Sequence, residues 1–172
     1  MSEVDRFVVE KNRLVLDHRF TDILGNPNDL FAINSSEFFY SDYKVRKGSI
    51  VHYKNGEQKV VQKLNSPNGL LIKDNLLYFC TTMKGTFYKT NLETGKTEKI
   101  VKMKGGDNIM SFSETEVLVA THPSSFRFVL HVMKGSNKAP TLIYKVNLIS
   151  GEKGVFYSEK GENISASSTA LY

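Results

Sequence analysis

Short apolar runs alternate with turn-forming residues along the whole chain. Examples are the runs at 7–9, 14–16, 38–40 and 117–120, with Gly, Asn, Asp or Ser in the segments between such runs. β-Branched and aromatic residues dominate these runs, and turn residues recur about every 8 to 12 positions, as is typical of β-strands. No apolar pattern with helical spacing extends over three turns, so few helices are expected and 126–130 is predicted to be a further strand. The sequence therefore predicts an all-β chain.

Three segments of the chain repeat with a period of 40 residues. They begin at Asn28, Asn68 and Asn108, and each continues into an apolar run. Each is followed by a second hairpin signal, such as the turn pair Asn55 and Gly56. A period of about 40 residues with two hairpins per unit is typical of the four-stranded blades of a β-propeller.

The repeat divides the chain into three predicted blades, at 28–64, 68–103 and 108–159. The third blade carries about 16 extra residues, and the polar stretch 134–140 is predicted to form the inserted loop.

Two further pieces flank these blades in the predicted single partial propeller domain of 1–172. Residues 4–20 are predicted to form the outer hairpin of one blade, and residues 161–172 the inner strand of the next. Closed propellers contain about four to eight blades, so this chain is not expected to close a ring alone. An uncovered blade is a surface for pairing, which predicts self-association or a complementing chain.

Composition excludes several classes of protein. The 172 residues carry a net charge of +5. The densest basic set comprises Lys96, Lys99, Lys102 and Lys104, and acidic and apolar residues lie between these lysines. Without an aromatic stacking motif beside it, this spacing predicts a solvated strand and no nucleic-acid partner. No apolar run is long enough for a membrane span and no secretory signal is visible at the start, so a cytoplasmic location is predicted. The single cysteine, Cys80, lies in an apolar run and is predicted to be a buried hydrophobe.

The repeated asparagines are the strongest candidates for chemistry. Asn28, Asn68 and Asn108 would lie at equivalent positions where inner strands converge, with Asp29 and Asp107 adjacent. Amide and carboxylate oxygens suit calcium, which takes six to eight oxygen ligands. The alternative is that these residues only fix the turns before each inner strand. Spacing alone leaves both interpretations open.

Five motifs in order carry a family resemblance: NPNDL at 26–30, SPNGL at 66–70, GDNI at 106–109, THP at 121–123 and STA at 168–170. With them the chain resembles the paraoxonase/arylesterase family of calcium-dependent six-bladed β-propellers, within the gluconolactonase-like superfamily. The resemblance covers essentially the whole chain and about the C-terminal half of a family member.

The resemblance implies roles for six residues. Four would bind the catalytic calcium: Asn28, Asn68, Asp107 and Asn108. Asp29 would bind a second, structural calcium, and His122 would line the mouth of the pocket. The implied reaction is hydrolysis of aryl esters or lactones, in which the cation polarises the carbonyl and water attacks. His122 and Asp107 are the candidate catalytic residues, and Asp107 could act as a base or nucleophile.

The chain departs from the family pattern in lacking the first half of the fold. That half supplies an acidic residue to each calcium and the histidine pair usually assigned to proton transfer. Hydrolysis is therefore expected to require a partner that completes the ring. The alternatives are a non-catalytic propeller fragment that acts as an interaction or assembly module, or a truncated product without independent function. The resemblance also allows secretion if an N-terminal segment is missing.

Overall fold

The computed structural model describes residues 2–170. Within them, fourteen strands form four antiparallel sheets, and there is one helix. The first sheet is a hairpin of β1 (Ser2–Glu10) and β2 (Arg13–Ile23). The next two contain four consecutive strands each: β3 (Pro27–Asn34), β4 (Glu37–Asp42), β5 (Gly48–Lys54) and β6 (Glu57–Leu64), then β7 (Pro67–Lys73), β8 (Leu76–Thr81), β9 (Thr86–Asn91) and β10 (Thr97–Lys102). The last contains β11 (Gly106–Ser111), β12 (Glu116–Thr121), β13 (Thr141–Asn147) and β14 (Lys153–Glu159), with α1 (Ser125–Met133) inserted between β12 and β13. The predicted all-β class is confirmed.

The three four-stranded sheets, which we call the first, second and third blades, follow one another through their first strands. β7 contacts both β3 and β11, so the three first strands lie side by side as the inner strands of the assembly. Each blade then runs outward in sequence order. This arrangement brings the starts of β3, β7 and β11 together.

Both faces of the central strands are buried, which explains their continuous apolar runs. On β4, Phe38 and Tyr40 pack against Phe20 of the hairpin, whereas Phe39 packs toward the second blade. On β8 the alternation repeats, because Leu77 and Phe79 face the first blade and Tyr78 and Cys80 face the third. Successive side chains of a strand point to opposite faces, so one run fills two cores.

The connections between strands form two opposite edges. The upper edge comprises the connections 24–26, 43–47, 65–66, 82–85, 103–105 and 122–140, and the lower edge comprises 11–12, 35–36, 55–56, 74–75, 92–96, 112–115 and 148–152. Backbone hydrogen bonds join successive upper connections in a series: Tyr43 N–H to Asn26 O, Ser66 N–H to Lys44 O, Thr82 N–H to Ser66 O, Gly105 N–H to Thr82 O and His122 N–H to Gly105 O. The upper edge is therefore a continuous surface and not a set of separate loops.

The prediction of a strand over 126–130 is wrong, because these residues belong to α1. Ser124 caps the helix, and its hydroxyl accepts a hydrogen bond from the Arg127 N–H. Four apolar residues have helical spacing over two turns: Phe126, Val129, Leu130 and Met133. The insertion in the third blade thus consists of α1 as well as the predicted loop at 134–140.

The C-terminal segment also differs from its prediction as an inner strand. Residues 161–170 contain no strand, and Leu171 and Tyr172 lie outside the described residues. The carboxylate of Glu159 accepts hydrogen bonds from the N–H groups of Gly161, Glu162, Asn163 and Ile164, which curls the chain away from an extended course. One backbone hydrogen bond, from Asn108 N–H to Ser168 O at 3.4 Å, links the segment to β11.

Within residues 2–170, no helix is long and apolar enough to cross a membrane.

Candidate functional site

A cavity of about 380 Å³ opens at the upper edge, where the inner strands begin. Its lining includes five of the six residues proposed from the sequence, together with four others: Asn28, Asn68, Asp107, Asn108 and His122, with Tyr43, Thr82, Phe128 and Ser168. Residues separated by up to 140 positions in the chain therefore share one cavity.

The asparagines reach the cavity because the inner strands are irregular at their starts. The pairing of each inner strand with its neighbour shifts register close to the asparagine, between positions 27 and 30 in β3, 67 and 70 in β7, and 106 and 109 in β11. A bulge of this kind removes a residue from the regular ladder and redirects its side chain. The 40-residue period thus places one amide from each blade at the cavity.

Asn68 is the most enclosed of the three amides. It is 6% exposed, and its Nδ2 donates a hydrogen bond of 3.1 Å to Thr82 Oγ1. Thr82 Oγ1 in turn donates to the carbonyl oxygen of Gly106, which fixes the orientation of the amide. Asn68 Oδ1 is buried and has no hydrogen-bond partner within the described residues. A buried acceptor without a partner is costly, so this oxygen requires an ordered water or a ligand to satisfy it.

Asp107 and His122 form a buried pair beside this amide. His122 Nε2 lies 2.7 Å from Asp107 Oδ2, and the two residues are 3% and 8% exposed. His122 Nδ1 is buried and has no partner within the described residues. The imidazole stacks on the ring of Phe128 from α1, with 3.9 Å between ring centroids. In the tautomer whose Nε2 donates to Asp107, the lone pair lies on Nδ1, which can then accept a proton.

The backbone of Asp107 is held tightly by the second blade. The Cys80 thiol donates to its carbonyl oxygen at 2.7 Å, and a Cβ on Gly69 would lie 2.2 Å from the same oxygen. Cys80 is fully buried, as predicted, and burial raises the pKa of its thiol. Cys80 therefore supports the position of Asp107 and does not supply a reactive thiolate.

Asp29 lies outside the cavity lining. Its Oδ2 accepts a hydrogen bond of 2.6 Å from Leu70 N–H, and its own N–H donates to Ser41 Oγ. Burial raises the pKa of the Asp29 carboxyl, with a smaller opposing effect from the backbone hydrogen bonds. The hydrogen bond to Leu70 makes Asp29 a link between the first and second blades, and its role as a ligand of a second, structural calcium stays a prediction.

The oxygen donors around the cavity fit a hard cation better than a transition metal. They comprise three side-chain amides and the Asp107 carboxylate. Within residues 2–170, no group of three or more His, Cys, Asp or Glu residues is arranged to hold a metal ion. Amide oxygens with one carboxylate suit calcium more than zinc or copper. The buried Asn68 Oδ1, which has no protein donor, is consistent with this ligand type.

Sequence reasoning missed two informative members of the cavity, Thr82 and Phe128. Tyr43, Thr82 and His122 each directly follow the second strand of their blade, and Thr82 precedes His122 by one 40-residue period. The same repeat that identified the asparagines could therefore have identified Thr82. Phe128 was missed because its segment was assigned to a strand.

No family model and no curated protein sequence matches this chain. Solved structures do match it. A chain of the nidogen/laminin complex superposes with a TM-score of 0.66 at 10% identity, over 95% of this chain and 61% of the other. An oligogalacturonate lyase from Vibrio parahaemolyticus superposes with a TM-score of 0.60 at 13% identity, over 93% of this chain and 47% of the other.

A third structure, an oligogalacturonate lyase in complex with manganese, has a TM-score of 0.55 at 13% identity, over 80% of this chain and 41% of the other. All three are β-propeller proteins, so the predicted partial propeller is confirmed. The present chain spans between 41% and 61% of the length of these structures. At such low identity the likeness shows the fold alone, and the finer resemblance to paraoxonases stays a prediction.

Proposed function

We propose that the upper cavity binds calcium and takes part in calcium-dependent hydrolysis of aryl esters or lactones. The observation that carries this proposal is the buried, unpartnered Asn68 Oδ1 in a cavity shared with Asn28, Asn108 and Asp107. If these amides only fixed turns, their oxygens would accept local backbone hydrogen bonds, and Asn68 Oδ1 accepts none within the described residues.

The ligand set favours a cation that keeps Lewis acidity. Asp107 is the one carboxylate in the cavity lining, and its Oδ2 is already engaged by His122. Calcium bound by these oxygens would polarise a substrate carbonyl and stabilise the oxyanion that forms on attack by water.

His122 and Asp107 would manage the proton of the attacking water. Asp107 Oδ2 holds Nε2, which leaves Nδ1 as the proton acceptor, so His122 is the proposed general base. Phe128 covers the imidazole and restricts access of bulk water to it. Asp107 would therefore have two roles, as a ligand and as the group that orients His122.

Calcium binding is tested by isothermal titration and thermal unfolding with Asn68→Ala as the diagnostic variant. Wild type is expected to bind calcium and to gain about 2.7 kcal/mol of stability at a concentration 100 times the dissociation constant. Asn68→Ala should lose most of this gain, whereas the exposed control Asn163→Ala should keep it. Absence of a heat signal and of a thermal shift in millimolar calcium would refute the metal site.

Hydrolysis is tested separately with phenyl acetate and a lactone, with and without calcium. His122→Gln should lower kcat/KM by about 10² or more, since it removes the proposed base, and Asn163→Ala should not. Activity that persists in His122→Gln would assign the proton transfer elsewhere. Because propeller neighbours are longer than this chain, we further propose that full activity requires a complementing chain.

The second candidate is an interaction or assembly module without catalysis. Large apolar side chains are exposed on the terminal hairpin, including Val9 at 74% and Leu14 at 71%, and on the third blade, including Val155 at 61%. Exposed apolar surfaces at both ends of a stack of blades favour pairing with a second copy or a complementing chain. Light scattering after size exclusion decides this, because a stable monomer at all concentrations would contradict self-association.

A further inference from the structure

The two edges of the blades carry opposite charge. The upper connections contain eight basic residues and no acidic residue: Lys44, Arg46, Lys47, Lys84, Lys104, Arg127, Lys134 and Lys138. The lower connections contain two basic and four acidic residues: Lys11 and Lys96, with Asp74, Glu93, Glu114 and Glu152. The cavity with Asn68 and His122 opens at the basic edge.

The basic side chains of the upper edge are exposed and largely unpaired. All eight are exposed, and among the ion pairs of residues 2–170 only Lys44 has an acidic partner, Asp42. Their charge is therefore available to a ligand in solution.

Most acids near this edge are engaged within the protein. Asp42 also accepts from Asn26 N–H, Asp107 binds His122, and Glu159 caps the turn that follows β14. Of the others, Asp29 accepts from Leu70 N–H, while Asp22 and Glu162 are exposed. The unpaired charge at the upper edge is thus predominantly positive.

A groove between the first and second blades extends this basic surface. It has a volume of about 420 Å³ and is lined by Lys63, Lys84 and Lys99, with the Tyr88 and Thr97 side chains and no acidic residue. Lys84 belongs both to this groove and to the upper connection that contains Thr82 of the cavity. Lysines in a groove whose lining contains no acidic residue suit a carboxylate or another acidic group.

We infer that the ligand of the upper cavity is anionic, an ester or lactone that carries an acidic group away from the reacting carbonyl. The reaction in this inference rests on the proposed hydrolytic function, whereas the negative charge of the ligand does not depend on it. A positive field around a cavity raises the rate of encounter with anions by about 10- to 1,000-fold and weakens with salt. The acidic group would lie toward Lys63 and Lys84, and the carbonyl toward Asn68.

Two matched esters test the inference, 4-acetoxybenzoate, which is anionic, and its neutral methyl ester. The ratio of their kcat/KM values should favour the anion and should fall as salt is raised. Lys63→Glu and Lys84→Glu should each lower the ratio by about fivefold. Lys59→Glu is the control, because Lys59 is an exposed lysine nearer the lower end of the same strand as Lys63. Equal ratios for all variants would overturn the inference while leaving the hydrolytic function in place.

A binding experiment separates the two proposals. Amide NMR spectra without calcium are recorded during titration with 4-hydroxybenzoate and with its neutral methyl ester. Shifts near Lys84 and Gly85 with the anion alone, reduced in Lys63→Glu but not in Lys59→Glu, support the inference even if neither ester is hydrolysed. Identical shifts with both compounds overturn it. Binding to phosphatidylserine vesicles that depends on Lys84, without any preference for the small anion, also overturns it and assigns the surface to lipid.

Discussion

Asparagines at the upper and lower edges of the same blades behave differently. At the lower edge, Asn91 Oδ1 accepts hydrogen bonds from the N–H groups of Glu93 and Thr94, and Asn147 Oδ1 accepts from Ile149 and Ser150. At the upper edge, Asn68 Oδ1 is buried and accepts none within the described residues. The lower asparagines fix turns, and this is the role that spacing alone left open for Asn28, Asn68 and Asn108. This contrast favours ligand binding at the upper edge.

The two edges also differ in the sign of their charge. The lower connections contain four acidic and two basic residues, and of these only Lys96 has an ion pair within residues 2–170, with Glu98 at 2.8 Å. Seven of the eight upper-edge cations have no ion pair within residues 2–170. Turns whose asparagines are satisfied locally need no ligand, whereas charge of a single sign and an open acceptor at the same edge indicate a binding surface.

The largest expected effect on stability comes from replacing two glycines by alanine, one at each edge, that have nearly the same backbone conformation. Gly105 has φ +72° and a Cβ there would lie 2.0 Å from the carbonyl oxygen of His122, whereas Gly95 has φ +70° and open space around it. Both alanine variants strain the left-handed backbone by about 1–2 kcal/mol, and overpacking should add about 1–3 kcal/mol for Gly105→Ala alone. Denaturant unfolding measures the free energy of each variant.

Gly95→Ala is the matched control for this comparison. Equal losses in the two variants would show that the upper connections are not packed closely against His122. A larger loss in Gly105→Ala, together with weaker calcium binding, would connect the packing of the upper edge to the cavity.

Much of the fold could be predicted from the sequence because each blade is a local pattern. The 40-residue period and the turn pair Asn55 and Gly56 depend on residues close in the chain, and the structure has strands on either side of that turn. Strand 126–130 was predicted wrongly because its aromatic and β-branched composition outweighed a helical spacing of only two turns. A cap at Ser124 was the additional signal.

The site could be predicted only in part, since burial and partners are tertiary properties. The repeat indicated that Asn28, Asn68 and Asn108 share a location, and they do share one cavity. It could not indicate that Asp29 accepts a hydrogen bond from Leu70 N–H in the second blade. Nor could it reveal the charge of the upper edge, because that charge is distributed over six connections and the sequence presents them as dispersed lysines and arginines.

The next largest effect on stability is expected at Tyr40, whose hydroxyl links the upper end of the hairpin to the first blade. Its hydroxyl lies 3.0 Å from Leu24 O and 2.8 Å from Gln58 Oε1. Tyr40→Phe should lower the free energy of unfolding by about 1 kcal/mol at pH 8, because it removes the hydrogen bonding of the hydroxyl of a fully buried tyrosine. Tyr53→Phe changes the same core without removing a hydrogen bond recorded within residues 2–170, so it should lower the free energy of unfolding by less than Tyr40→Phe does.

The Tyr40 variant also has a characteristic dependence on alkaline pH. Burial raises the pKa of Tyr40 from 10.0 to about 12. Because the folded pKa is above the unfolded value, the stability from this group is complete below pH 10 and is lost as the pH rises toward 12. The gap in unfolding free energy between wild type and Tyr40→Phe should therefore narrow between pH 10 and 12. A constant gap would contradict the burial of this hydroxyl.

The smallest effect is expected at Glu37 on the lower side of the first blade. Hydrogen bonds from Lys54 and then His52 lower the pKa of this carboxyl. Because the folded pKa lies below the unfolded value of about 4.3, the stabilisation is present above that pH and is lost as the pH falls through the folded pKa. Glu37→Gln should thus be slightly less stable than wild type at pH 6, and the difference should shrink in acid. Glu57→Gln, which removes an exposed acid on β6, is the control. Equal losses of stability in both variants at every pH would show that pairing with Lys54 and His52 does not stabilise Glu37.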